Sequence, residues 1–321
     1  MESVTRSSAR GDQQEPSVLV YTDFDGTLLG RGASVLRTSA GEPTVASAQG
    51  LVDLYRAGAR VIPVSGRNSQ QLLEASRLLS FSDFICELGS EITYDLGSES
   101  DVVAFDFAPA EAREVGSVAD YLRSRGVEEA LLERFHGFLE PHTPWASSRK
   151  HTLLYRGLRK LPNGEDLAQA VVSFLETEGF DWLTFFDNGP VMRRGTLAHE
   201  GEVRAFHLLP RGVNKAVAVA RHRARFPGVP AFALGNSAAD LVMAIHVDAF
   251  YFFGDEKDLS AAADALLEAS GTTGLDIRIN DHEAVINGKR VLALCSRGPE
   301  GFAVASKLIL AEIERGAHPS E

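Results

Sequence analysis

Two aspartates separated by a single residue stand directly after an apolar run near the start of the chain. Asp23 and Asp25 belong to the string Asp-Phe-Asp-Gly-Thr-Leu-Leu, which follows the run Val18-Leu19-Val20. Packing does not explain two carboxylates at the end of a buried strand, because each loses hydration that needs compensation. Such a pair suits phosphoryl transfer through an aspartyl phosphate, in which one carboxylate attacks and the other moves protons. The alternative is a solvated turn after an edge strand, which an isolated pair without the rest of the string would favour.

Small residues beside this pair and after a second apolar run could hold the oxygens of a phosphoryl group. Gly26 allows the backbone to turn sharply, and Thr27 offers a hydroxyl and a backbone N–H to an anion. Ser65 and Gly66 follow the run Val61-Ile62-Pro63-Val64, where a hydroxyl and an accessible backbone N–H suit the same task. The alternative for Ser65 is the cap of the helix that follows.

A lysine at a predicted helix start is the third candidate. Lys215 follows Pro210-Arg211-Gly212-Val213-Asn214 and precedes a periodic segment that runs to Arg225. A cation at the amino end of a helix opposes the helix dipole, which indicates that this lysine serves another group. Its charge could neutralise the nucleophile and the transferring phosphoryl group. An exposed surface lysine is the alternative.

The order and composition of these segments closely resemble the motifs of the haloacid dehalogenase superfamily, most of whose members are magnesium-dependent phosphatases. The resemblance implies that Asp23 is the nucleophile and that Asp25 is the general acid/base. Lys215 would be the third catalytic residue, and Arg67 could contact the phosphate or a cap, although a surface arginine at a helix start is an equal alternative.

The fourth motif departs from the pattern of that superfamily. In Gly235-Asn236-Ser237-Ala238-Ala239-Asp240, Asn236 occupies the position where the family usually has aspartate. Mg²⁺ prefers oxygen ligands, and an amide supplies one without the negative charge, so metal affinity should fall unless Asp240 compensates. We expect Asp23, the backbone carbonyl of Asp25 and Asn236 to form the metal shell, with Asp240 inside it or just outside it. The alternative is that metal binding and turnover have been lost.

The elements that must position these residues alternate between strand and helix. Strands are predicted at Val18 to Tyr21, Val61 to Val64, Phe84 to Cys86, Ala231 to Leu234 and Ala249 to Phe253, and helices at Val45 to Arg56, Ser69 to Leu79, Asn214 to Arg225 and Ala238 to His246. This alternation predicts an α/β protein with a Rossmann-like parallel-sheet core. All the candidate residues then lie at the carboxyl ends of strands or at the helix starts that follow, where open α/β sheets place ligands.

The stretch between the second and third motifs is too long for a loop and predicts an inserted α+β cap domain. Its elements are a possible strand at Val102 to Phe107, helices at Glu111 to Arg123 and Asp166 to Glu178, and a strand at Trp182 to Phe186 that turns at Asp187-Asn188-Gly189-Pro190 into a hairpin. We expect a disordered leader over 1–16, the core over 17–96 and 207–321, and the cap over 97–206. Arg193 and the cluster Arg149-Lys150-His151 are candidate substrate contacts.

A segment near the end of the chain gives a narrower resemblance. Gly298-Pro299-Glu300-Gly301-Phe302, followed by a helix, looks like the closing segment of mannosyl-3-phosphoglycerate phosphatases. Related strings occur near sucrose- and trehalose-phosphate phosphatases. The resemblance implies a small phosphorylated sugar or a glycosyl-glycerate as the substrate, with mannosyl-3-phosphoglycerate as the specific candidate.

Composition excludes several classes of protein. The formal charge of -12 over 321 residues gives no support to nucleic-acid binding. No apolar segment has the length of a membrane span or a signal peptide, so we expect a cytoplasmic enzyme without a membrane partner. Cys86 and Cys295 both have apolar neighbours and are expected to be buried, reduced thiols. The oligomeric state is not indicated by the sequence.

The sequence therefore predicts a magnesium-dependent phosphomonoester hydrolase that acts on a small phosphorylated metabolite. A sugar phosphomutase of the same fold remains an alternative, because it would use the same nucleophile. A non-catalytic phosphometabolite-binding protein is the other, because Asn236 weakens the expected metal site.

Overall fold

The computed structural model describes residues 15–191, 195–269, 276–280 and 283–317. The predicted leader lies outside these ranges except for its last two residues, and Arg193 also lies outside them.

The described strands and helices are these, in chain order. The strands are β1 (Val18–Thr22), β2 (Ala59–Pro63), β3 (Phe84–Cys86), β4 (Glu91–Tyr94), β5 (Glu99–Asp101), β6 (Leu139–Pro141), β7 (Leu153–Leu158), β8 (Leu183–Pro190), β9 (Val203–Pro210), β10 (Ala231–Gly235), β11 (Ala249–Phe252), β12 (Ile277–Asn280), β13 (Glu283–Ile286) and β14 (Lys289–Ala293). The helices are α1 (Ala46–Arg56), α2 (Ser69–Leu79), α3 (Ala110–Val115), α4 (Val118–Ser124), α5 (Val127–Arg134), α6 (Leu167–Thr177), α7 (Lys215–Arg223), α8 (Ala238–Leu241), α9 (Glu256–Ala269) and α10 (Gly298–Ala317).

The main sheet has the order β12-β13-β14-β11-β10-β1-β2, and its strands from β14 to β2 are parallel. Strand β1 lies between β10 and β2, with Thr22 paired to both Leu234 and Pro63. Because the three strands end in register, the residues after Thr22, Pro63 and Leu234 meet at one edge of the sheet. The predicted parallel-sheet core is confirmed.

Both faces of this sheet are covered, which explains why its strands are short apolar runs without alternation. All five residues of β1 are buried. Leu19 and Tyr21 pack in a core cluster with α7, and Val18 and Val20 pack in a second cluster with α1 and α10. This double cover fixes the position of the loop that follows β1.

The cap contains a four-stranded antiparallel sheet with the order β6-β7-β9-β8. Helices α4, α5 and α6 bury apolar residues against it, so the cap has a core of its own. This bears out the predicted fold class with an inserted α+β unit. The predicted domain boundary at residue 206 falls inside β9, which continues to Pro210.

Several predictions within the cap were wrong. Val103–Asp106 forms a 3-10 helix, not part of a strand. The single helix predicted from Glu111 to Arg123 is two helices, because Gly116 adopts a φ of +83° that ends the first. The predicted turn at residues 187–190 is the end of β8, where Asp187 pairs with Phe206 and Pro190 with Arg204.

Elsewhere the described residues differ from expectation at two points. The predicted helix from Ala238 to His246 is α-helical only to Leu241 and continues as a 3-10 helix. Cys86 is buried as expected, but Cys295 is exposed, because it lies on the loop between β14 and α10. In the described part of the chain, no helix has the length and apolar character of a membrane span.

Candidate active site

Asp23 is the first residue after the central strand. Its backbone N–H donates to the carbonyl of Leu234 at 2.9 Å, which continues the pairing of β1 with β10 by one residue. The side chain is only 11% exposed. One carboxylate oxygen accepts a hydrogen bond from the buried Thr27 hydroxyl at 3.3 Å. The residue predicted as the nucleophile is therefore fixed at the sheet edge, with a small part of its side chain exposed.

Lys215 lies against Asp23 and Asp240. Its Nζ is 2.7 Å from Asp23 Oδ1 and 2.5 Å from Asp240 Oδ1, and its side chain is 4% exposed. Helix α7 begins at this lysine because the side chain of Asn214 caps it by accepting from the N–H of Val217. The structure thus brings together three residues that the sequence placed in separate motifs.

Lys215 and Asp23 affect each other's pKa values, and Asp240 affects both. Burial raises the pKa of Asp23 to about 7, Asp240 adds to the rise, and Lys215 opposes it. For Lys215, burial disfavours the ammonium, but Asp23 and Asp240 together hold its pKa above the ordinary value. One buried lysine therefore serves two buried carboxylates, and burial disfavours the ionised form of Asp23.

Asp240 is committed to the loop that precedes its helix. Its Oδ2 accepts from the backbone N–H groups of Asn236 and Ser237, both at 3.0 Å, and from the Ser237 hydroxyl at 2.6 Å. Gly235 permits this packing, since a Cβ there would lie 2.2 Å from that of Asp240. With its other oxygen on Lys215, Asp240 orients the loop of Asn236 and the lysine.

Asp25 is paired with Arg67 across the site. Arg67 donates from Nε to Asp25 Oδ2 at 2.9 Å and from Nη2 to Asp25 Oδ1 at 2.7 Å, and its guanidinium lies over the ring of Phe24. The Asp25 side chain is 54% exposed, so it faces the opening of the site. The sequence left Arg67 as a phosphate contact, a cap contact or a surface arginine; in this structure it is a partner of Asp25.

The predicted phosphate-binding residues surround the same edge. Gly26 has a φ of +83°, and its carbonyl accepts from the N–H of Gly298 at 3.0 Å, so the closing segment of the chain packs on the aspartate loop. Ser65 is 3% exposed, and its hydroxyl oxygen accepts from the N–H of Arg67 at 3.2 Å. Gly66 lies beside the cap residues Asn188 and His207, whose side chains would be 3.5 and 3.6 Å from a Cβ at that position.

The groups expected to hold a magnesium ion lie around Asp23 and Gly26. Among the described residues, Asp23 Oδ2 accepts only the long hydrogen bond from Thr27, and the Asn236 amide has its nitrogen, not its oxygen, nearest to Gly26, where a Cβ would be 2.4 Å from that nitrogen. Among the described residues, no cluster of three or more histidine, cysteine, aspartate or glutamate side chains has the arrangement of a metal site. With the amide oxygen of Asn236 turned towards the site, Asp23, that oxygen and the backbone carbonyl of Asp25 would suit Mg²⁺, and this ligand set stays a prediction.

Sequence reasoning missed two cap-facing residues, Glu87 and His207. Glu87 is fully buried, and its carboxylate accepts from the backbone N–H groups of residues 150, 151 and 152 and from the Thr152 hydroxyl. His207 stands in a strand of apolar residues, so the sequence offered no signal for it. Arg149, from the predicted basic cluster, donates to the carbonyl of Gly66 at 2.6 Å, whereas Lys150 is exposed.

Comparison with known proteins supports the fold only. No family model and no curated protein sequence matches the chain. A sucrose-phosphatase from Synechocystis, solved with sucrose and phosphate, superposes with a TM-score of 0.55 at 15% identity, over 93% of this chain and 98% of that one. A Thermoplasma acidophilum protein gives 0.55 at 13% identity, over 92% and 98%. A haloacid dehalogenase-like hydrolase from Bacteroides thetaiotaomicron gives 0.50 at 15% identity, over 76% and 91%.

These similarities show that the chain has the haloacid dehalogenase-like fold, as the motifs predicted. The narrower likeness to mannosyl-3-phosphoglycerate phosphatases stays a prediction.

Proposed function

We propose that this protein is a magnesium-dependent phosphomonoester hydrolase that forms an aspartyl phosphate on Asp23. The observation that carries the proposal is the buried contact of Lys215 with Asp23 and Asp240 at the carboxyl end of the central strand. A buried carboxylate held beside a cation at the edge of an open α/β sheet is suited to attack on a phosphoryl group.

Lys215 offsets the charge that accumulates when the anionic ester meets the Asp23 carboxylate. The hydroxyl of Ser65 accepts from the backbone, which leaves its hydrogen to donate to a phosphoryl oxygen. Asp23 then attacks phosphorus in line, and the phosphoryl–oxygen bond of the alcohol breaks. Thr27 holds Asp23 in orientation through its second oxygen.

Asp25 moves the protons in this proposal. It gives a proton to the departing alcohol oxygen and then takes one from the water that hydrolyses the aspartyl phosphate. Each of its oxygens accepts one hydrogen bond from Arg67 and keeps a second lone pair for a proton. Arg67 would therefore hold Asp25 in orientation for these transfers.

Mg²⁺ would be held by Asp23, the backbone carbonyl of Asp25 and Asn236, with Asp240 orienting the loop from just outside, and it would neutralise phosphate charge. The substrate is a small phosphorylated sugar or glycosyl-glycerate, with mannosyl-3-phosphoglycerate as the specific candidate. The packing of Gly298 on Gly26 supports this assignment, because it gives the closing segment a place at the site.

Release of inorganic phosphate from a panel of sugar phosphates and phosphorylated glyceric-acid glycosides, with and without Mg²⁺, tests the proposal. We expect magnesium-dependent release that Asp23→Asn abolishes. Transfer of the phosphoryl group between positions of one sugar, dependent on a bisphosphate activator and without release, would identify a mutase. Tight binding of esters without either reaction would identify a binding protein.

A further inference from the structure

A buried arginine and a buried histidine of the cap converge on the loop that carries Ser65, and a second histidine acts on the first. Arg149 Nη1 donates to the carbonyl of Gly66 at 2.6 Å, and a Cβ on Gly66 would lie 3.6 Å from Cε1 of His207. His142 precedes Arg149 on the segment between β6 and β7. A positive charge on His142 would lower the pKa of His207, and the charges of Arg149 and Lys215 have the same effect. We call Arg149, His207 and His142 the cap cluster.

Arg149 is a buried cation without a paired carboxylate. It is 6% exposed, and no carboxylate of the described residues lies within ion-pair distance of it. Glu87 is the carboxylate whose charge acts on Arg149, but its oxygens accept from the backbone of residues 150–152 and from the Thr152 hydroxyl. Among the described residues, the Nη1 atom donates only to the Gly66 carbonyl and the Thr152 hydroxyl, and Nε is buried with no hydrogen-bond partner. Burying an arginine in this state is costly unless an anion completes the site.

The histidines add further unsatisfied polar atoms. The Nδ1 atoms of His207 and His142 are both buried and have no hydrogen-bond partner in the part of the chain that the structure describes. Burial, helped by the charge of Arg149, holds the pKa of His207 well below the ordinary value, so its ring is neutral and can donate one hydrogen bond and accept another. A neutral ring beside an arginine suits a group that combines negative charge with a neighbouring hydroxyl.

We propose that the cap cluster binds a carboxylate on the alcohol part of the substrate, so that the preferred substrates are phosphomonoesters of hydroxy acids. The proposal rests on the proposed phosphatase function and names the substrate class of the same site. Arg149 supplies the planar donors that match a carboxylate, and His207 donates to it or to the adjacent hydroxyl. Because Arg149 bonds Gly66, next to Ser65, the carboxylate and the phosphate must be close together in the molecule.

A matched pair of esters tests this directly. 3-Phosphoglycerate carries a carboxylate where glycerol 3-phosphate carries a neutral hydroxymethyl group. We expect kcat/KM to favour 3-phosphoglycerate, and Arg149→Met to reduce that preference by about 10- to 100-fold, the effect of losing hydrogen bonds to a charged group. Arg149→Lys, which keeps the charge but not the fork, should retain part of the preference.

Arg159→Met is the control, because Arg159 lies just past the opposite end of β7, with its side chain 54% exposed. This substitution should leave kcat/KM for both esters unchanged. Equal losses with both esters in Arg149→Met would overturn the proposal and assign Arg149 to the phosphate or to the packing of Gly66. A wild-type enzyme without preference for 3-phosphoglycerate would also overturn it.

Calorimetric binding of the two esters to Asp23→Asn separates this inference from the function on which it rests. Asp23→Asn should bind 3-phosphoglycerate more tightly than glycerol 3-phosphate, and adding Arg149→Met should remove the difference. This result would support carboxylate binding by the cap cluster even if no ester is hydrolysed. Hydrolysis of both esters with equal binding would refute the cap cluster and leave the phosphatase proposal standing. Circular dichroism of each variant confirms that the fold is intact before either result is counted.

Discussion

Replacing Lys215 by methionine should destabilise the protein, because it leaves two buried carboxylates facing each other. Asp23 and Asp240 both lose their closest cation, and their side chains are 11% and 1% exposed. Methionine keeps the length of the side chain, so the change removes the charge with little loss of volume. Solvent cannot replace the ammonium at this depth.

The magnitude follows from the depth of the pair. Removing one partner of a buried ion pair costs about 3–5 kcal/mol. For a chain of 321 residues, that corresponds to a fall of about 4–7 °C in the melting temperature. Part of this loss should be recovered below pH 7, because without Lys215 one of two adjacent carboxylates takes up a proton. The fall at pH 8 should therefore exceed the fall at pH 6.

Thermal unfolding followed by circular dichroism measures this effect at the two pH values. Lys307→Met is the matched control, since Lys307 is exposed on α10 and a surface substitution changes stability by about 0.5 kcal/mol or less. Lys215→Met melting within 1 °C of the control at pH 8 would refute the reasoning about the buried triad. A larger fall at pH 6 than at pH 8 would refute the assigned repulsion.

Three further substitutions test the account through stability, metal binding and pH dependence. Asp23→Asn should abolish turnover yet leave the melting temperature at pH 8 unchanged or higher, because a carboxylate whose pKa is raised to about 7 opposes folding when ionised; a fall of several degrees would contradict this. Asn236→Asp should tighten Mg²⁺ binding in a calorimetric titration through the added charge, and unchanged or weaker binding would show that residue 236 is not a ligand. His222 is fully buried between Tyr21 and Asp83, and burial lowers its pKa, so its contribution to stability is present above about pH 6.5 and is lost as the pH falls. His222→Gln should therefore flatten the acid side of the stability profile by at most about 1.4 kcal/mol per pH unit, and an unchanged slope would refute that assignment.

The parallel core could be predicted because its signals are local. Helix α2 has the predicted bounds, Ser69–Leu79, since Asn68 and Gln71 form a capping box that ends the preceding loop. Strand β1 was evident as an apolar run because both of its faces are covered. In these elements the local preference and the tertiary environment agree.

The cap was harder to predict because tertiary pairing overrides its local signals. Asn188-Gly189 is a strong hairpin-turn signal, yet both residues lie in β8, whose partner β9 begins at Val203. Strand β7 gives no alternation to detect, since all six of its residues are buried. A local turn sequence carries no information about pairing with a strand that comes later in the chain.

At the site, residue types were predictable but their partners were not. The motif order predicted Asp23 and Lys215 at one edge of the sheet, where the Lys215 Nζ and Asp23 Oδ1 atoms lie 2.7 Å apart. The pairing of Asp25 with Arg67 and the contacts of Glu87 with residues 150–152 join positions far apart in sequence. The first contact depends on how the loops after β1 and β2 meet, and the second on how the cap sits over the core, and neither is given by the sequence alone.

Trapping of a phosphoenzyme tests the central claim most directly. The protein is mixed with Mg²⁺ and a phosphate ester that it hydrolyses, and the reaction is quenched in acid. The protein is then digested and analysed by mass spectrometry, with Asp23→Asn treated in parallel. The account predicts one phosphoryl group on the peptide that contains Asp23, and none on the same peptide of the variant. Phosphate release without a labelled peptide, or a label on Asp25 in place of Asp23, would contradict it.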